Sequence, residues 1–209
     1  MIVRIVKRRT FWTGLAVLAT AALLGTVVLV ADRLSPKKSE QGQGRAAIGG
    51  PFSLTDHTGQ PVTQDILKGK ISLVYFGYSF CPDICPTDLQ LIGQALDQMT
   101  DEERAEAQAL FITIDPERDT GPQLAGYVPL FHPQLRGLTG TPEQIDAAAK
   151  AYRAYYKKVS AEEAGTSDYL MDHSAFIYLM DRNGTFVRVF GHGVEPAEML
   201  EWFRKVRVG

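Results

Sequence analysis

The stretch Ile71–Tyr78 (ISLVYFGY) restricts the fold of this chain more than any other. It is a continuous apolar run, rich in β-branched and aromatic residues, without the alternation of a strand that has one face in water. Such a strand needs cover on both faces. The sequence around it supplies the cover. Pro86–Met99 has helical spacing, with Leu89, Ile92, Leu96 and Met99 on one stripe. Thr120–Phe131 reads as a second helix, and a third runs from Thr141 to about Tyr155. Thr141 caps that third helix, Pro142 stands at its first position and Gln144 completes a capping box. Glu195–Val206 reads as a final helix. Ala109–Ile114 is a second buried strand and Leu135–Leu138 a short one. Ala175–Met180 and Thr185–Phe190 are joined by the turn signal Asp181-Arg182-Asn183-Gly184. Pro51–Leu54 and Pro61–Thr63 flank Asp56-His57-Thr58-Gly59 as an opening hairpin. The order is a hairpin, then β-α-β-α-β-α, then a second hairpin and a helix. That pattern predicts a layered α/β domain whose central sheet is mixed and flanked by helices.

The rest of the chain is divided by charge. No charged residue occurs from Thr10 to Ala31, a stretch long enough to cross a bilayer, which needs about 20 residues. Arg4, Lys7, Arg8 and Arg9 precede it, so its start is expected to stay cytoplasmic and the remainder to be exported. The stretch exceeds the core of a typical cleaved signal peptide, and Leu29-Val30-Ala31 is a mediocre cleavage site. Residues 1–31 are therefore expected to be a basic leader and an N-terminal transmembrane helix. Residues 32–49, polar and glycine-rich, are expected to be a flexible linker, and residues 50–209 the folded domain. A bacterial inner membrane, crossed once with the C-terminal domain in the periplasm, is the expected location. Eight basic and two acidic residues fall in 1–46, against 14 basic and 22 acidic beyond them. A domain so acidic binds phosphate poorly, so nucleic acid is not an expected partner.

The chain has two cysteines, Cys81 and Cys85, in Cys81-Pro82-Asp83-Ile84-Cys85-Pro86. A staple closing so small a loop stabilises little, so chemistry explains the pair better. The loop follows the carboxyl end of the buried strand, where sites of open α/β sheets gather, and precedes a helix whose free N–H groups favour thiolates. Both cysteines are expected to point outward on one turn, to pair as a disulfide or to hold one soft metal ion. Thiolates select Cu(I) and Zn, and two of them need a third ligand to close a site. Of the four histidines, His57 lies at a turn tip and His132 before a proline, and neither suits the role. His192, in Gly191-His192-Gly193, is a weak spare. His173 stands out because Asp172-His173-Ser174 leads directly into the strand Ala175–Met180. In thioredoxin-like folds the loop before that strand lies against the cysteine loop, usually with a cis-proline, and here a histidine stands in that place. Asp83 reads as a helix-capping carboxylate and Asp115-Pro116 as a turn. Tyr78 and Phe80 are expected to shield the loop.

Three segments together carry a resemblance: Tyr75–Pro86 (YFGYSFCPDICP), Ile114-Asp115-Pro116-Glu117-Arg118-Asp119-Thr120 and Asp172-His173-Ser174. In this order they resemble the Sco/SenC proteins, copper-binding assembly factors for the binuclear copper centre of cytochrome c oxidase. The resemblance covers the chain from residue 50 onward. It implies a thioredoxin-like fold, a copper ion held by Cys81, Cys85 and His173, and the copper-centre subunit of the oxidase as partner. A periplasmic thiol reductant or copper donor is the second partner it implies. Three activities compete: a metallochaperone, a thiol–disulfide oxidoreductase using Cys81 and Cys85 as its redox-active pair, and a peroxidase of peroxiredoxin type. The CxxxC spacing and the absent proline speak against the second. Tyr78 and Pro82, rather than threonine, stand three residues before the cysteines and speak against the third.

Overall fold

The computed structural model describes residues 48–208. The expected membrane helix, and with it the boundary near residue 32, lies outside the described residues. Among the described residues, no helix is long and apolar enough to cross a membrane.

The chain opens with the predicted hairpin, β1 (Ser53–Asp56) and β2 (Pro61–Thr63), antiparallel. Next comes β3 (Ile71–Gly77), every residue of which is buried. Parallel partners β4 (Ala107–Thr113) and β5 (Leu135–Thr139) lie on one side of it. On the other side lies an antiparallel pair, β8 (Ile177–Met180) and β9 (Phe186–Phe190). The seven strands run in the order β2-β1-β5-β4-β3-β8-β9, so the sheet is mixed and β3 sits within it. Two helices cover the two faces of β3. α1 (Ile84–Asp97) lies on the face to which Tyr75 points, and α4 (Pro142–Tyr152) places Tyr152 against Phe76, with ring centroids 5.3 Å apart. Successive strand residues point to opposite faces, so one strand fills both layers. The C-terminal helix α6 (Pro196–Val208) packs beside α1.

Local signals set several boundaries. Thr141 and Gln144 form the expected capping box of α4. The β8–β9 turn closes on Asp181, whose carboxylate accepts the N–H groups of Asn183 and Thr185. Gly184 takes the positive φ of +75° that the turn requires. α1 begins at Ile84, two residues before the predicted start. A proline is tolerated in the first helical turn because those N–H groups have no intrahelical partner, so Pro86 lies inside the helix. α3 (Gly121–Tyr127) continues as a 3-10 turn over Val128–Leu130, matching the expected helical stretch.

Among the described residues, four helices and strands were absent from the sequence expectation, as was the 3-10 turn Gln64–Leu67. α2 (Asp101–Glu106) is a six-residue helix with its own capping box between Thr100 and Glu103. β6 (Tyr156–Val159), α5 (Ala161–Ala164) and β7 (Leu170–His173) form an insertion whose two strands make a separate antiparallel sheet. This corrects the expected path around His173. The residue does not enter the core strand directly but ends β7, and Ser174–Phe176 lead from there to β8.

α1 approaches the segment after α3 closely at Gly93, where an added Cβ would stand 2.6 Å from the backbone oxygen of Phe131. Helix propensity alone favours alanine over glycine by about 1 kcal/mol. The contact reverses that sign, and Gly93→Ala is expected to destabilise the domain by about 1–3 kcal/mol, as overpacking does. Denaturant titration of both proteins measures the difference, and a more stable variant would mean that this helix contact is looser.

Candidate metal centre

β3 ends at Gly77, and the chain turns through Tyr78–Asp83 before α1 begins. This turn is fixed from below. Asp119, fully buried, accepts the Ser79 N–H at 2.9 Å and the Thr113 hydroxyl at 2.6 Å, and it also accepts the Ser79 hydroxyl. Cys81 is thereby held just ahead of the helix and Cys85 in its first turn. The expectation that both point outward fails for Cys85, which is completely buried, whereas Cys81 is half-buried. The reason is the helical stripe: Cys85 shares the core-facing side of α1 with Asp88, Leu89 and Ile92. Asp83 occupies the cap position, yet its side chain makes no capping bond. The Cys81 sulfur accepts the Cys85 N–H instead, at 3.4 Å.

His173 comes from the end of β7. Its Nε2 lies 3.3 Å from the Cys85 sulfur and its Nδ1 3.2 Å from the Ser174 carbonyl. The rings of Tyr75 and Tyr78 stand edge-on to the imidazole, with centroids 6.3 and 6.0 Å away. The ligand atoms of Cys81, Cys85 and His173 all lie within 4.8 Å of one another. Among the described residues, this is the group of three or more His, Cys, Asp or Glu side chains that could share an ion. The other histidines sit elsewhere. His57 accepts the Gly137 N–H, and His132 is buried and accepts the Gln134 N–H. His192 lies 2.9 Å from the buried Asp88, which also accepts the Gly193 N–H. Phe80 is exposed beside the loop, while Tyr78 is buried and forms part of its wall. Asp115 does begin a turn, as expected, but its carboxylate is also buried in an ion pair with Arg118 at 2.5 Å.

The two thiols differ sharply. The neighbouring Cys85 thiol holds Cys81 as a thiolate with a pKa of about 3, helped by His173 and the N–H groups of Cys85 and Asp83 against the cost of burial. The nearness of Cys81, then burial and the charge on Cys81, push the Cys85 thiol up. Burial, opposed by a backbone hydrogen bond from Met171 and reinforced by the charge on Cys81, raises the Tyr78 phenol to about 12. The pair without metal therefore carries one negative charge, on the more accessible sulfur. Two sulfurs and an imidazole suit a soft ion such as Cu(I), or Zn, and are a poor set for Mg or Ca. Gly77 was not singled out from the sequence, yet a Cβ there would stand 2.9 Å from the Cys85 sulfur and 2.8 Å from the Tyr75 ring. A glycine closing an otherwise bulky strand was the available signal.

Comparison with known proteins places this arrangement. The SCO1/SenC family model matches residues 40–207. The mitochondrial SCO1 homolog 1 of Arabidopsis thaliana is 47% identical over 148 residues, covering 71% of this chain and 43% of that protein. The mitochondrial SCO2 of Saccharomyces cerevisiae is 42% identical over 162 residues, 78% of this chain and 54% of that protein. The chain thus spans about half the length of these relatives. The structure of Bradyrhizobium japonicum ScoI with copper bound aligns at a TM-score of 0.70 with 45% identity, covering 77% of this chain and 99% of that one. The mixed α/β, thioredoxin-like fold is shared with it. With most of its length matched by that family's model, the chain belongs to the SCO1/SenC family.

Proposed function

We propose that the protein is a copper metallochaperone that holds its cargo through Cys81, Cys85 and His173. The observation that carries this reading is the convergence of two sulfurs and one imidazole nitrogen within 4.8 Å at the mouth of the buried strand. Copper-bound ScoI, 45% identical over the shared domain, supports copper over zinc. Three ligands leave one side of a four-coordinate ion free for a ligand from the recipient, so cargo can pass by stepwise exchange. The recipient in this reading is the copper-centre subunit of cytochrome c oxidase, as the family resemblance implies. Residues 1–31 anchor the protein in the bacterial inner membrane, residues 32–49 are the tether and residues 50–209 face the periplasm. The charge pattern around Thr10–Ala31 supports that topology.

The asymmetry of the thiols favours a second reading beside the first. An accessible thiolate over a buried thiol is the arrangement of a dithiol reductant. The Cys81 thiolate would attack a partner disulfide, forming a mixed disulfide and releasing one partner thiolate. Cys85, giving up its proton, would then attack the Cys81 sulfur and release the second. The partner gains two electrons and the Cys81–Cys85 pair is left oxidised.

Copper titration of the full-length protein tests the first reading. The reduced protein is expected to bind one copper, and the protein oxidised to the Cys81–Cys85 disulfide almost none. His173→Ala is expected to weaken binding by more than about 100-fold, beyond the usual cost of losing an outer-sphere partner. The accompanying stability loss should be about 1 kcal/mol, from the two tyrosine contacts. Equal uptake by oxidised and reduced protein would remove the cysteines from the site, and unchanged affinity in His173→Ala would remove the imidazole.

Alkylation tests the thiol asymmetry. Because Cys81 is already a thiolate, iodoacetamide should label the reduced, metal-free protein at a rate nearly flat from about pH 5 to 8. Labelling should stop at Cys81 until the protein is unfolded. An ordinary cysteine, with a pKa of about 8.5, would gain about tenfold per pH unit over that range. A climbing rate, or ready labelling of Cys85 in the folded protein, contradicts the assignment.

For the topology, a reporter active only in the periplasm and fused after Gly209 should be active. Activity of a cytoplasm-only reporter at the same place would overturn both the orientation and periplasmic copper delivery.

A further inference from the structure

The three ligands come from two bodies. Cys81 and Cys85 belong to the strand–helix junction of the main sheet, whereas His173 ends the β6–β7 insertion, whose two strands pair only with each other. A lone two-stranded hairpin is marginal in water. Of the eight residues in these strands, Met171 alone is buried. The hairpin base is closed by the Ser174 N–H on the Tyr155 carbonyl and by the Tyr155 N–H on the Ser174 hydroxyl. The body of the hairpin needs a further hold.

Arg118 supplies it. Its side chain, only 14% exposed, leaves the loop after β4 and meets all three segments at once. Nε binds the Asp115 carboxylate, and Nη1 binds the Asp168 carboxylate at 3.2 Å and the Tyr169 carbonyl at 3.1 Å. The guanidinium lies 3.6 Å from the centroid of the Tyr169 ring and 4.8 Å from that of Phe80, the residue before Cys81. The Tyr169 hydroxyl returns to Asp115 at 2.9 Å. Tyr169 is four residues before His173 in the same arm. One planar cation therefore joins the cysteine loop, the loop after β4 and the histidine-bearing hairpin. A lysine ammonium cannot serve two carboxylates and a carbonyl while stacking between two rings.

We propose that Arg118 is a positioning residue for the metal centre, clasping the β6–β7 hairpin to the cysteine loop and so setting how long His173 stays in place. Its hydrogen bonds and ring contacts reach none of the three ligand atoms. The proposal rests on the reading that Cys81, Cys85 and His173 hold copper, but its first test does not.

In that test, backbone amide exchange is followed in metal-free, full-length protein. Arg118→Met is expected to speed exchange across residues 156–173 by about tenfold or more, with β3 and β4 unchanged, because charge-assisted and stacking contacts to the hairpin are lost. Arg118→Lys, which keeps the charge, should resemble Arg118→Met and guards against a variant that fails to fold. Wild-type exchange in the hairpin of both variants overturns the proposal. The second test measures copper release from loaded protein to a chelator. Release should be about tenfold faster in Arg118→Met than in wild type. In a His173→Ala background the same change should have no effect, since a residue acting through the imidazole has nothing left to act on. An equal acceleration in both backgrounds would make Arg118 a general stabiliser and overturn the positioning role. Failure of every protein, wild type included, to take up copper would sink the copper reading while the exchange result stood.

Discussion

The site depends on bringing the sulfurs of Cys81 and the buried Cys85 within 4.8 Å of each other and of the His173 imidazole. Two sulfurs so close inside a protein cannot both carry charge, and neither can be left without a partner. Keeping the proton on Cys85, whose sulfur lies 3.3 Å from His173 Nε2, resolves the conflict, and the first turn of α1 contributes the N–H of Cys85 toward the charged sulfur. The pair is then poised for either fate, since binding a soft cation or forming a disulfide removes that proton. Metal capture and thiol exchange compete for the same two atoms, so the two activities proposed for this protein are linked rather than alternative.

Holding that pair makes demands on the scaffold. Cys85 must be sunk into the core, and the core makes room by ending β3 on a glycine. Tyr75 and Phe111 crowd the same space, at 2.8 and 3.1 Å from where a Cβ would stand. The loop carrying Cys81 must not drift, and the buried Asp119 fixes it with three hydrogen bonds to Ser79 and Thr113. Burial pushes the Asp119 carboxyl above its ordinary range, while these donors favour its charged form. A polar group this deep is tolerated because it is satisfied. It converts the end of a strand into a rigid platform for one ligand.

What was legible in the sequence followed from periodicity and caps. β3 and β4 were readable because an unbroken apolar run has few other uses, and α4 because Thr141, Pro142 and Gln144 announce its start. The capping box at Thr100 and Glu103 was equally present, but the six-residue helix behind it lacks the apolar stripe that would have drawn notice. The insertion was invisible for a physical reason: its strands are mostly wet and carry charge, so no period of two rises above the background. The proximity of His173 to the cysteines was expected from its place in the chain, yet the path was wrong, because the hairpin that delivers the imidazole had not been seen. Arg118 could not be read at all. Its role is defined by partners as far away as Asp168 and Tyr169, and one guanidinium has no local signature.

A division of labour follows from where the ligands are mounted. Removing either cysteine from an ion would require unwinding the first turn of α1 or shifting the loop that Asp119 fixes, and both are tied into the core. Withdrawing His173 requires only that a small, separately paired hairpin lift from its contacts. Local openings of this kind lie at the low end of a protein's range of opening free energies, and core elements at the high end. For a carrier of the kind proposed, which must retain its cargo and then surrender it, this ordering is useful. In the proposed copper site the imidazole would be the ligand able to leave first, withdrawing from the Cys85 sulfur that it meets at 3.3 Å while both cysteines keep their hold. The groove on that side is lined by Tyr78, Pro82, Ile84, Leu170 and Met171, a mainly apolar wall that also carries the carboxylates of Asp83 and Asp172. In the proposed function, the direction of transfer would then be set by the recipient's own thiols or imidazoles, since the carrier would supply a graded grip rather than a uniformly strong one.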